Sequence, residues 1–272
     1  MMDEYCKEYT DFEMMLVAAA REIKDGEVVF NAFQWPFLAV YMAFNLHAPN
    51  ISMVFETGTC HDYMPIEKMP YSLVDPVIPP TATFIGDSLD SLAFLQRGDI
   101  DIALLATSIV DKYGNVNTTV IGDYYKPKIR LPGGGGATEI AVLAKRLVWL
   151  LDEHSKRRLV EKVNFITDVG HLTGYDSRDK AGYSSTEGPV AIITPFCILR
   201  FDPETKEAYL ASLHPGHTVE EVKQNTGWDL KVADDLQQTE PPTTQEITVC
   251  RRVMKDAIEQ FYILKPEWRK YI

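Results

Sequence analysis

Residues 28–58 read VVFNAFQWPFLAVYMAFNLHAPNISMVFETG, and this stretch decides the fold class. It opens with an apolar run, 28–30, that predicts a short buried strand. Residues 36–46 predict a helix, with Pro36 in the first turn, where a proline is tolerated. The apolar run at 51–55 predicts a second strand. Strand, helix and strand in this order are typical of a βαβ unit, which indicates an α/β protein with parallel strands.

The alternation of strands and helices continues on both sides of this unit. Thr10 and Glu13 form a capping-box pattern at the start of a helical spacing, and Gly26 is the expected stop of that helix. Further along, the pattern predicts helices at 87–96 and 137–144, strands at 102–106, 146–151 and 163–167, and a long loop at 169–189. We therefore expect a mostly parallel sheet through residue 167.

The last part of the chain has a different order. Strands are predicted at 190–194, 197–201 and 207–213, and a turn at 202–206 joins two of them as in a hairpin, so part of the sheet is expected to be antiparallel. Thr218 opens a short helix. After a linker at 237–242, Thr243 and Glu246 cap a last helix that runs to about residue 258. No linker is strong enough to divide the chain, so we expect a single domain over residues 1–272.

Composition excludes several classes of protein. An apolar share of 46% in 272 residues is typical of a globular chain rather than a disordered one. The formal net charge of −12 argues against a nucleic-acid partner. No apolar run approaches the roughly 18 residues of a membrane span, and the acidic N-terminus lacks the pattern of a secretory signal. The four cysteines form no CxxC pair, which favours reduced thiols and a cytoplasmic location.

Glu56 is the first candidate for chemistry. It directly follows the strand predicted at 51–55 and precedes Thr57 and Gly58. Ligands of α/β sheets collect at the carboxyl ends of strands, so a carboxylate at this point can face a cleft. A solvated glutamate at a strand end is the alternative interpretation.

Four consecutive glycines, Gly133 to Gly136, precede Ala137 and the helix predicted at 137–144. Glycines allow backbone N–H groups to approach a ligand closely, and a helix N-terminus adds positive potential. This combination suits a phosphate, a carboxylate or the oxyanion of a thioester. The run matches neither the dinucleotide-binding fingerprint nor the P-loop. A flexible turn is the alternative interpretation.

Two further groups could contribute to a site. Cys60 and His61 could act as a nucleophile and its base, although neighbouring residues of an extended segment point apart. Lys126, Lys128 and Arg130 alternate along an extended segment, so all three would lie on one face and could receive anionic groups. A small core cysteine and a solvated edge are the respective alternatives. No set of His, Cys, Asp or Glu residues has metal-ligand spacing, so we expect no metal.

These candidates belong to an ordered series that resembles the B (beta) subunit of the glutaconate CoA-transferase family, within the class I CoA-transferases. The matching pieces are, in order, residues 54–58 (VFETG), 111–119 (DKYGNVNTT), 121–124 (IGDY), Pro127, Lys128, Arg130 and 135–137, with a fainter likeness as far as residue 227. The resemblance covers nearly the whole chain. The block at 113–137 is its most specific part.

The resemblance implies an open α/β/α sandwich of the CoA-transferase type, with a mixed, mostly parallel sheet. It implies that Glu56 is the catalytic glutamate, which attacks an acyl-CoA and becomes a glutamyl-CoA thioester in a ping-pong scheme. Gly133, Gly134, Gly135, Gly136 and Ala137 match the family's glycine loop, which lies close to the acyl group and could supply an oxyanion hole. Possible substrate contacts are Thr57, Gly58, Cys60, His61, Lys126, Lys128 and Arg130. No permanently bound cofactor is needed, since coenzyme A enters as the thioester substrate.

The resemblance also implies a partner and leaves alternatives for the activity. Family enzymes contain A (alpha) and B (beta) subunits, so we expect this chain to pair with an alpha subunit in an A2B2 or larger assembly, with an acyl-CoA and a carboxylic acid as substrates. Relatives of the fold cleave C–C bonds in CoA thioesters, so a CoA-thioester hydrolase or C–C bond-cleaving hydrolase is the alternative. A non-catalytic partner subunit is a third. Residues 59–63 differ from the family pattern, which leaves the acyl group open.

Overall fold

The computed structural model describes residues 4–33, 35–63, 70 and 72–260. The described helices are α1 (Asp11–Ala20), α2 (Trp35–Leu46), α3 (Ser88–Arg97), α4 (Ala137–Leu143), α5 (Ser177–Lys180), α6 (Val219–Asn225) and α7 (Thr244–Gln260). The described strands are β1 (Val28–Asn31), β2 (Ser52–Phe55), β3 (Thr59–His61), β4 (Phe84–Ile85), β5 (Ile102–Ala106), β6 (Val110–Asp111), β7 (Val120–Gly122), β8 (Pro127–Arg130), β9 (Arg146–Leu150), β10 (Leu159–Val160), β11 (Gly188–Ile193), β12 (Cys197–Phe201), β13 (Ala208–Leu213) and β14 (Lys231–Gln238). No helix among these residues is long and apolar enough to cross a membrane.

The chain divides into two compact units. Unit 1 comprises Met1–Asp101 and Pro241–Ile272, and unit 2 comprises Ile102–Glu240. Unit 1 therefore joins the first part of the chain to the last, and unit 2 is one continuous segment. The single domain expected from the sequence stays a prediction.

Unit 1 contains the βαβ unit that residues 28–58 predict. β1 pairs with β2 in parallel, from Val28 opposite Ser52 to Asn31 opposite Phe55. α2 connects the two strands, and the ring of Phe37 packs 6.0 Å from the ring of Phe55. β3 and β4 extend this sheet with antiparallel pairing in the order β1-β2-β3-β4, and the sequence pattern does not predict these two short strands.

The first helix of unit 1 begins as predicted and ends early. The Thr10 hydroxyl accepts a hydrogen bond from the Glu13 N–H, and the Glu13 carboxylate accepts one from the Thr10 N–H, which completes the capping box. The helix ends at Ala20 rather than next to Gly26, because the chain continues in tight turns. These turns still bury Ile23, the last residue of the predicted apolar spacing.

Helix α7 returns the end of the chain to α1 and α2 within unit 1. Its predicted capping box is present, with reciprocal hydrogen bonds between Thr243 and Glu246. Arg21 donates to the Glu246 carboxylate at 2.7 Å, and Arg251 donates to the fully buried Glu13 carboxylate at 2.7 Å. Both ion pairs therefore join the two ends of the chain.

The sheet of unit 2 has the order β14-β13-β12-β11-β9-β5. β5, β9 and β11 run parallel, whereas β11, β12 and β13 pair antiparallel, as the sequence predicts. Trp149 in β9 is buried, and its indole N–H donates to the Gly114 carbonyl at 2.9 Å. Two small sheets, β6 with β10 and β7 with β8, complete the unit.

Three predictions for unit 2 are wrong. The long loop predicted at 169–189 contains the short helix α5 at Ser177–Lys180. Residues 163–167 form no strand, because the Val163 N–H donates to the Asp111 carboxylate and the Thr167 N–H donates to the Val116 carbonyl. The linker predicted at 237–242 overlaps the end of β14. The sequence of β14, KVADDLQQ, is polar because this strand lies at the edge of the sheet, where charged side chains discourage pairing with other chains.

Candidate active site

Glu56 lies in the tight turn between β2 and β3 of unit 1. The Gly58 N–H donates to the Phe55 carbonyl at 2.9 Å, so Glu56 and Thr57 are the central residues of a β-turn. The Thr57 hydroxyl donates to the Leu73 carbonyl at 2.9 Å. The Glu56 side chain is half-buried, and no residue in the described part of the chain forms a hydrogen bond or an ion pair with its carboxylate.

The beginning of α3 fixes the backbone of this turn. The Ser91 hydroxyl, which is fully buried, donates to the Glu56 carbonyl at 2.7 Å. Gly58 has a φ of +100°, and a Cβ atom on it would lie 2.4 Å from the backbone of Asp87. A glycine at this position is therefore required both by the left-handed conformation and by the close approach of Asp87.

Cys60 and His61 follow on β3, where the burial of neighbouring residues alternates. His61 is buried, its ring lies 5.2 Å from the ring of Phe55, and burial lowers the pKa of its imidazole. Burial, together with the charges of Asp62 and Asp90, raises the pKa of the Cys60 thiol. Adjacent side chains on a strand point to opposite faces, so the structure does not bring these two together as a nucleophile and its base. Their contact with a substrate stays a prediction.

The glycine loop of unit 2 connects β8 to α4. Gly133 has a φ of +95° and donates its N–H to the Thr118 carbonyl at 2.7 Å. The N–H groups of Gly134, Gly135 and Gly136 donate no hydrogen bond to any residue that the structure describes. Three consecutive amides of the predicted loop are therefore available to an anionic ligand.

Three polar residues pack against this loop within unit 2. The Thr138 hydroxyl donates to the Thr167 carbonyl and to Asp168 Oδ1, both at 3.2 Å. A Cβ atom on Gly134 would lie 2.9 Å from Thr138 Oγ1 and 3.0 Å from Asp168 Oδ1. Asp168 is 1% exposed, and burial raises the pKa of its carboxyl to about 6. Asp168 is not among the predicted site residues, and no local pattern could have revealed it, because its proximity to the glycine loop is a tertiary contact.

Lys126, Lys128 and Arg130 lie at the tip and on the second strand of the hairpin formed by β7 and β8, and all three are exposed. The Arg130 guanidinium lies 5.1 Å from the centre of the Tyr124 ring and donates to the Tyr124 carbonyl. Neither lysine forms an ion pair within the described residues. The hairpin therefore presents positive charge immediately before the glycine loop in the chain.

The block DKYGNVNTT forms a buried hydrogen-bond network in unit 2. The Asp111 carboxylate accepts hydrogen bonds from the Tyr113 N–H at 3.0 Å and from Asn115 Nδ2 at 3.1 Å. Asn115 Oδ1 accepts the N–H groups of Gly170 and Leu172. The block borders a cavity of about 780 Å³ within this unit. The side chains of Asp111 and Asn115 therefore have a structural role, because their hydrogen bonds hold the segments at 111–115 and 170–172 in place.

The structure distributes the predicted site residues between the two units. Glu56, Thr57, Gly58, Cys60 and His61 lie together in unit 1, and the residues at 126–130 and 133–137 lie together in unit 2. Among the residues that the structure describes, no group of three His, Cys, Asp or Glu side chains could hold a metal ion.

Comparison with known proteins assigns this chain to a family. The family model for coenzyme A transferase matches residues 12–225, which includes Glu56, the hairpin and the glycine loop. The chain belongs to the coenzyme A transferase family. The resemblance stated from the ordered motifs is therefore confirmed.

This CoA-transferase chain is similar to the B subunits of two known enzymes. It is 41% identical to the B subunit of the 3-oxoadipate CoA-transferase of Pseudomonas knackmussii, over 89% of this chain and 92% of that protein. It is 34% identical to the B subunit of the glutaconate CoA-transferase of Acidaminococcus fermentans, over 86% of this chain and 88% of that protein. The chain is accordingly of the B, or beta, type among CoA-transferase subunits.

The fold of this CoA-transferase chain also matches a solved structure. The crystal structure of glutaconate CoA-transferase from Acidaminococcus fermentans superposes with a TM-score of 0.83 and 32% identity, over 91% of this chain and 95% of that one. The predicted α/β fold class of the CoA-transferases is therefore confirmed.

Proposed function

We propose that this chain is the catalytic beta subunit of a heteromeric enzyme that moves CoA between an acyl-CoA and a carboxylic acid. The observation that carries the proposal is the Glu56 carboxylate, which sits in a rigid turn of a CoA-transferase fold with no partner among the described residues. A carboxylate held in this way can act as a nucleophile, because its backbone is fixed and no described residue engages its oxygens.

The proposed reaction has two symmetrical halves. Glu56 attacks the thioester carbonyl, the C–S bond breaks, and a mixed anhydride forms as the CoA thiolate leaves. The thiolate then attacks the glutamyl carbonyl, which releases the donor acid as a carboxylate and leaves a glutamyl-CoA thioester. The acceptor carboxylate repeats these steps in reverse and restores Glu56. No net proton or electron is transferred, so the scheme requires no redox cofactor.

The glycine loop supplies the second part of the proposal. Each attack on a carbonyl develops negative charge on oxygen, and backbone N–H groups stabilise that charge when they are oriented in advance. The amides of Gly134, Gly135 and Gly136, which donate to no residue in the described part of the chain, support this role. Removal of a single oxyanion donor from an enzyme typically lowers kcat by about 10²- to 10³-fold.

The relatives indicate the class of substrate and the kind of partner. The names of the two related enzymes refer to 3-oxoadipate and glutaconate, which are both dicarboxylic acids. We therefore assign this chain a dicarboxylate as one of its two acid substrates, with an alpha subunit completing the enzyme. The location in the cytoplasm and the A2B2 stoichiometry are part of this proposal.

Substitution of Glu56 tests the nucleophile. Glu56→Gln, in the complex with its alpha subunit, should lower transfer from succinyl-CoA to 3-oxoadipate or glutaconate by at least about 10⁴-fold, because an amide cannot form the anhydride. Glu204→Gln, an exposed glutamate in the turn before β13, is the matched control and should keep wild-type activity. Borohydride treatment of the wild-type complex after incubation with acyl-CoA should modify Glu56 alone, as shown by peptide mass spectrometry.

Three results would contradict the proposal. A fully active Glu56→Gln complex would make the chain a non-catalytic partner. Modification by borohydride at another residue, with Glu56 intact, would move the nucleophile elsewhere. Release of free CoA or a shortened acid, with no exchange of label between acyl-CoA and a free carboxylate, would favour the hydrolase alternative.

A further inference from the structure

The hairpin of β7 and β8 carries an unusual group of exposed side chains. Tyr125 is 92% exposed and Tyr124 is 45% exposed, so two neighbouring aromatic rings face solvent here. Lys126 and Lys128 are exposed beside them. Neither the Glu56 turn nor the glycine loop accounts for these residues.

This group is ordered rather than loose. The Asp123 carboxylate accepts the N–H groups of Tyr125 and Lys126 at 2.9 and 2.8 Å, which fixes the tip of the hairpin. Tyr124 stacks on Phe165, with ring centres 5.3 Å apart and planes 19° apart, and Arg130 covers it at 5.1 Å. The edge of this stack supports Tyr125, whose ring lies 5.3 Å from that of Tyr124. The hairpin thus holds one largely exposed aromatic ring, that of Tyr125, in place.

The charge of the hairpin is opposite to that of the whole chain. Lys126, Lys128 and Arg130 form no ion pair with any residue that the structure describes, whereas the formal net charge of the protein is −12. The exposed cations of this hairpin therefore attract an anionic ligand, although the net charge of the chain is negative. Unpaired cations beside an exposed ring are the chemistry that recognises a phosphorylated nucleotide, since the base can stack and the phosphates can pair.

The hairpin also leads directly into the glycine loop. Beyond β8, the Leu131 N–H donates to the Thr119 carbonyl and the Gly133 N–H donates to the Thr118 carbonyl, so the chain stays extended and paired as far as the loop. From Lys126 to Gly133 an extended chain spans about 23 Å. An extended pantetheine arm can bridge a span of this size between a thioester and its nucleotide.

We propose that the tip of the β7–β8 hairpin binds the nucleotide end of coenzyme A. Lys126 and Lys128 pair with its phosphates, and the ring of Tyr125 stacks on the adenine. The inference rests on the proposed function, because it assumes that the thioester end of the same molecule reaches the glycine loop. It assigns these three side chains to binding of CoA and leaves the chemical step to other residues.

The test uses the complex with the alpha subunit and compares variants of equal charge. The variant Lys126→Gln/Lys128→Gln should raise KM for succinyl-CoA about tenfold through the loss of two exposed charge contacts, with kcat and the KM for the carboxylate unchanged. Lys156→Gln/Lys223→Gln removes the same charge from two other exposed lysines of unit 2 and should leave KM for succinyl-CoA unchanged. Tyr125→Ala should raise the KM for succinyl-CoA about fivefold. Tyr125→Phe should keep the wild-type KM, because stacking needs only the ring.

The possible outcomes separate this inference from the proposed function. If the hairpin variant Lys126→Gln/Lys128→Gln and the control variant Lys156→Gln/Lys223→Gln have the same KM for succinyl-CoA, the hairpin does not bind the nucleotide. If the hairpin variant no longer sediments as a complex with the alpha subunit while the control variant does, the hairpin is a subunit contact and the inference is overturned. If the wild-type complex itself turns over no acyl-CoA, the proposed function fails first, whatever the hairpin variants do.

Discussion

Asp168 is a carboxylic acid that the fold holds away from water next to the glycine loop. Its backbone pairs with Val116, and its side chain accepts a hydrogen bond from Thr138. Burial raises the pKa of the carboxyl to about 6, and the charge of Glu139 acts in the same direction. At neutral pH the fold therefore contains an ionised group that would be more stable in water.

Replacement of this one carboxyl should stabilise the protein. The pKa of the Asp168 carboxyl in the folded protein lies above the ordinary value of 3.8. Its ionisation therefore lowers the free energy of unfolding at pH 8, and this loss disappears as the pH falls towards 4. Asp168→Asn keeps an oxygen for the Thr138 hydroxyl and removes the charge. We expect it to raise the free energy of unfolding by roughly 2 kcal/mol at pH 8 and by less at pH 5, measured by urea denaturation. Glu139→Gln, at an exposed neighbour, should give a smaller gain, and a gain for Asp168→Asn that is equal at both pH values would contradict the prediction.

At the scale of elements, the turn between β2 and β3 shows how a helix fixes the backbone at a strand end. The β-turn places Glu56 at its centre, and α3 closes on it through Ser91 and the backbone of Asp87. Gly58 allows this contact because it has no Cβ atom. The geometry of Glu56 is therefore set by a helix that follows it by some thirty residues in the chain.

Substitution of two glycines distinguishes the effect of the close contact with Asp87 from the effect of the left-handed backbone conformation. Gly58 and Gly26 both have positive φ, at +100° and +83°, but only Gly58 would bring a Cβ atom into collision, and Gly26 has nothing within 4 Å. Gly26→Ala should lower the free energy of unfolding by about 1 kcal/mol, the cost of the left-handed conformation. Gly58→Ala should lower it by more than about 3 kcal/mol and abolish transfer activity, since the turn must move. Equal losses of stability would show that α3 does not hold the turn.

Elements were predictable from the sequence where local signals define them, and unpredictable where edge position or tertiary contacts define them. The βαβ unit at 28–58 and both capping boxes were predictable, because apolar runs and reciprocal Thr–Glu pairs are local signals. The edge strand β14 was not, because its polar sequence protects an edge from pairing rather than filling a core. The strand predicted at 163–167 failed because its backbone groups bond to Asp111 and Val116, which are distant in the chain.

At the scale of the molecule, two buried histidines make unit 2 sensitive to acid. His154 lies between the hydroxyls of Thr194 and Thr226, at 2.9 and 3.1 Å, and His171 lies 2.9 Å from the Pro189 carbonyl. Burial lowers the pKa of both imidazoles to about 4. Neither site contains a carboxylate partner for an imidazolium ion among these hydrogen-bond contacts, so protonation destabilises the unit.

The resulting dependence on pH has a defined window. The pKa of a histidine is near 6.5 in the unfolded chain, whereas the pKa of His154 and that of His171 are about 4 in the folded protein. The free energy of unfolding is therefore undiminished above pH 6.5 and decreases as the pH falls towards 4. The loss is on the order of 3 kcal/mol for each histidine, which outweighs the opposite contribution of Asp168. Urea denaturation between pH 7 and pH 4 should show this decrease. His154→Gln/His171→Gln should flatten the profile, and an unchanged slope in that variant would assign acid sensitivity to other groups.

The candidate site was predictable where its residues are contiguous and unpredictable where they are not. Glu56 and the glycines were found because each occupies a recognisable local position, at a strand end or before a helix. Asp168 and Ser91 were missed because they act through tertiary contacts with Gly134 and Glu56. Local sequence patterns therefore reveal the residues proposed to contact a substrate more readily than the residues that hold them in place.

The exposed tip of the β7–β8 hairpin has a practical consequence for following this protein in solution. Projecting tips are preferred points of entry for proteases, and chymotrypsin cleaves after the aromatic residues that Tyr124 and Tyr125 provide. Trypsin is blocked after Lys126, because Pro127 follows it. The rate of chymotryptic nicking at this one place thus becomes a footprint of whatever covers the hairpin, and it can be read on a gel without any assay of the reaction.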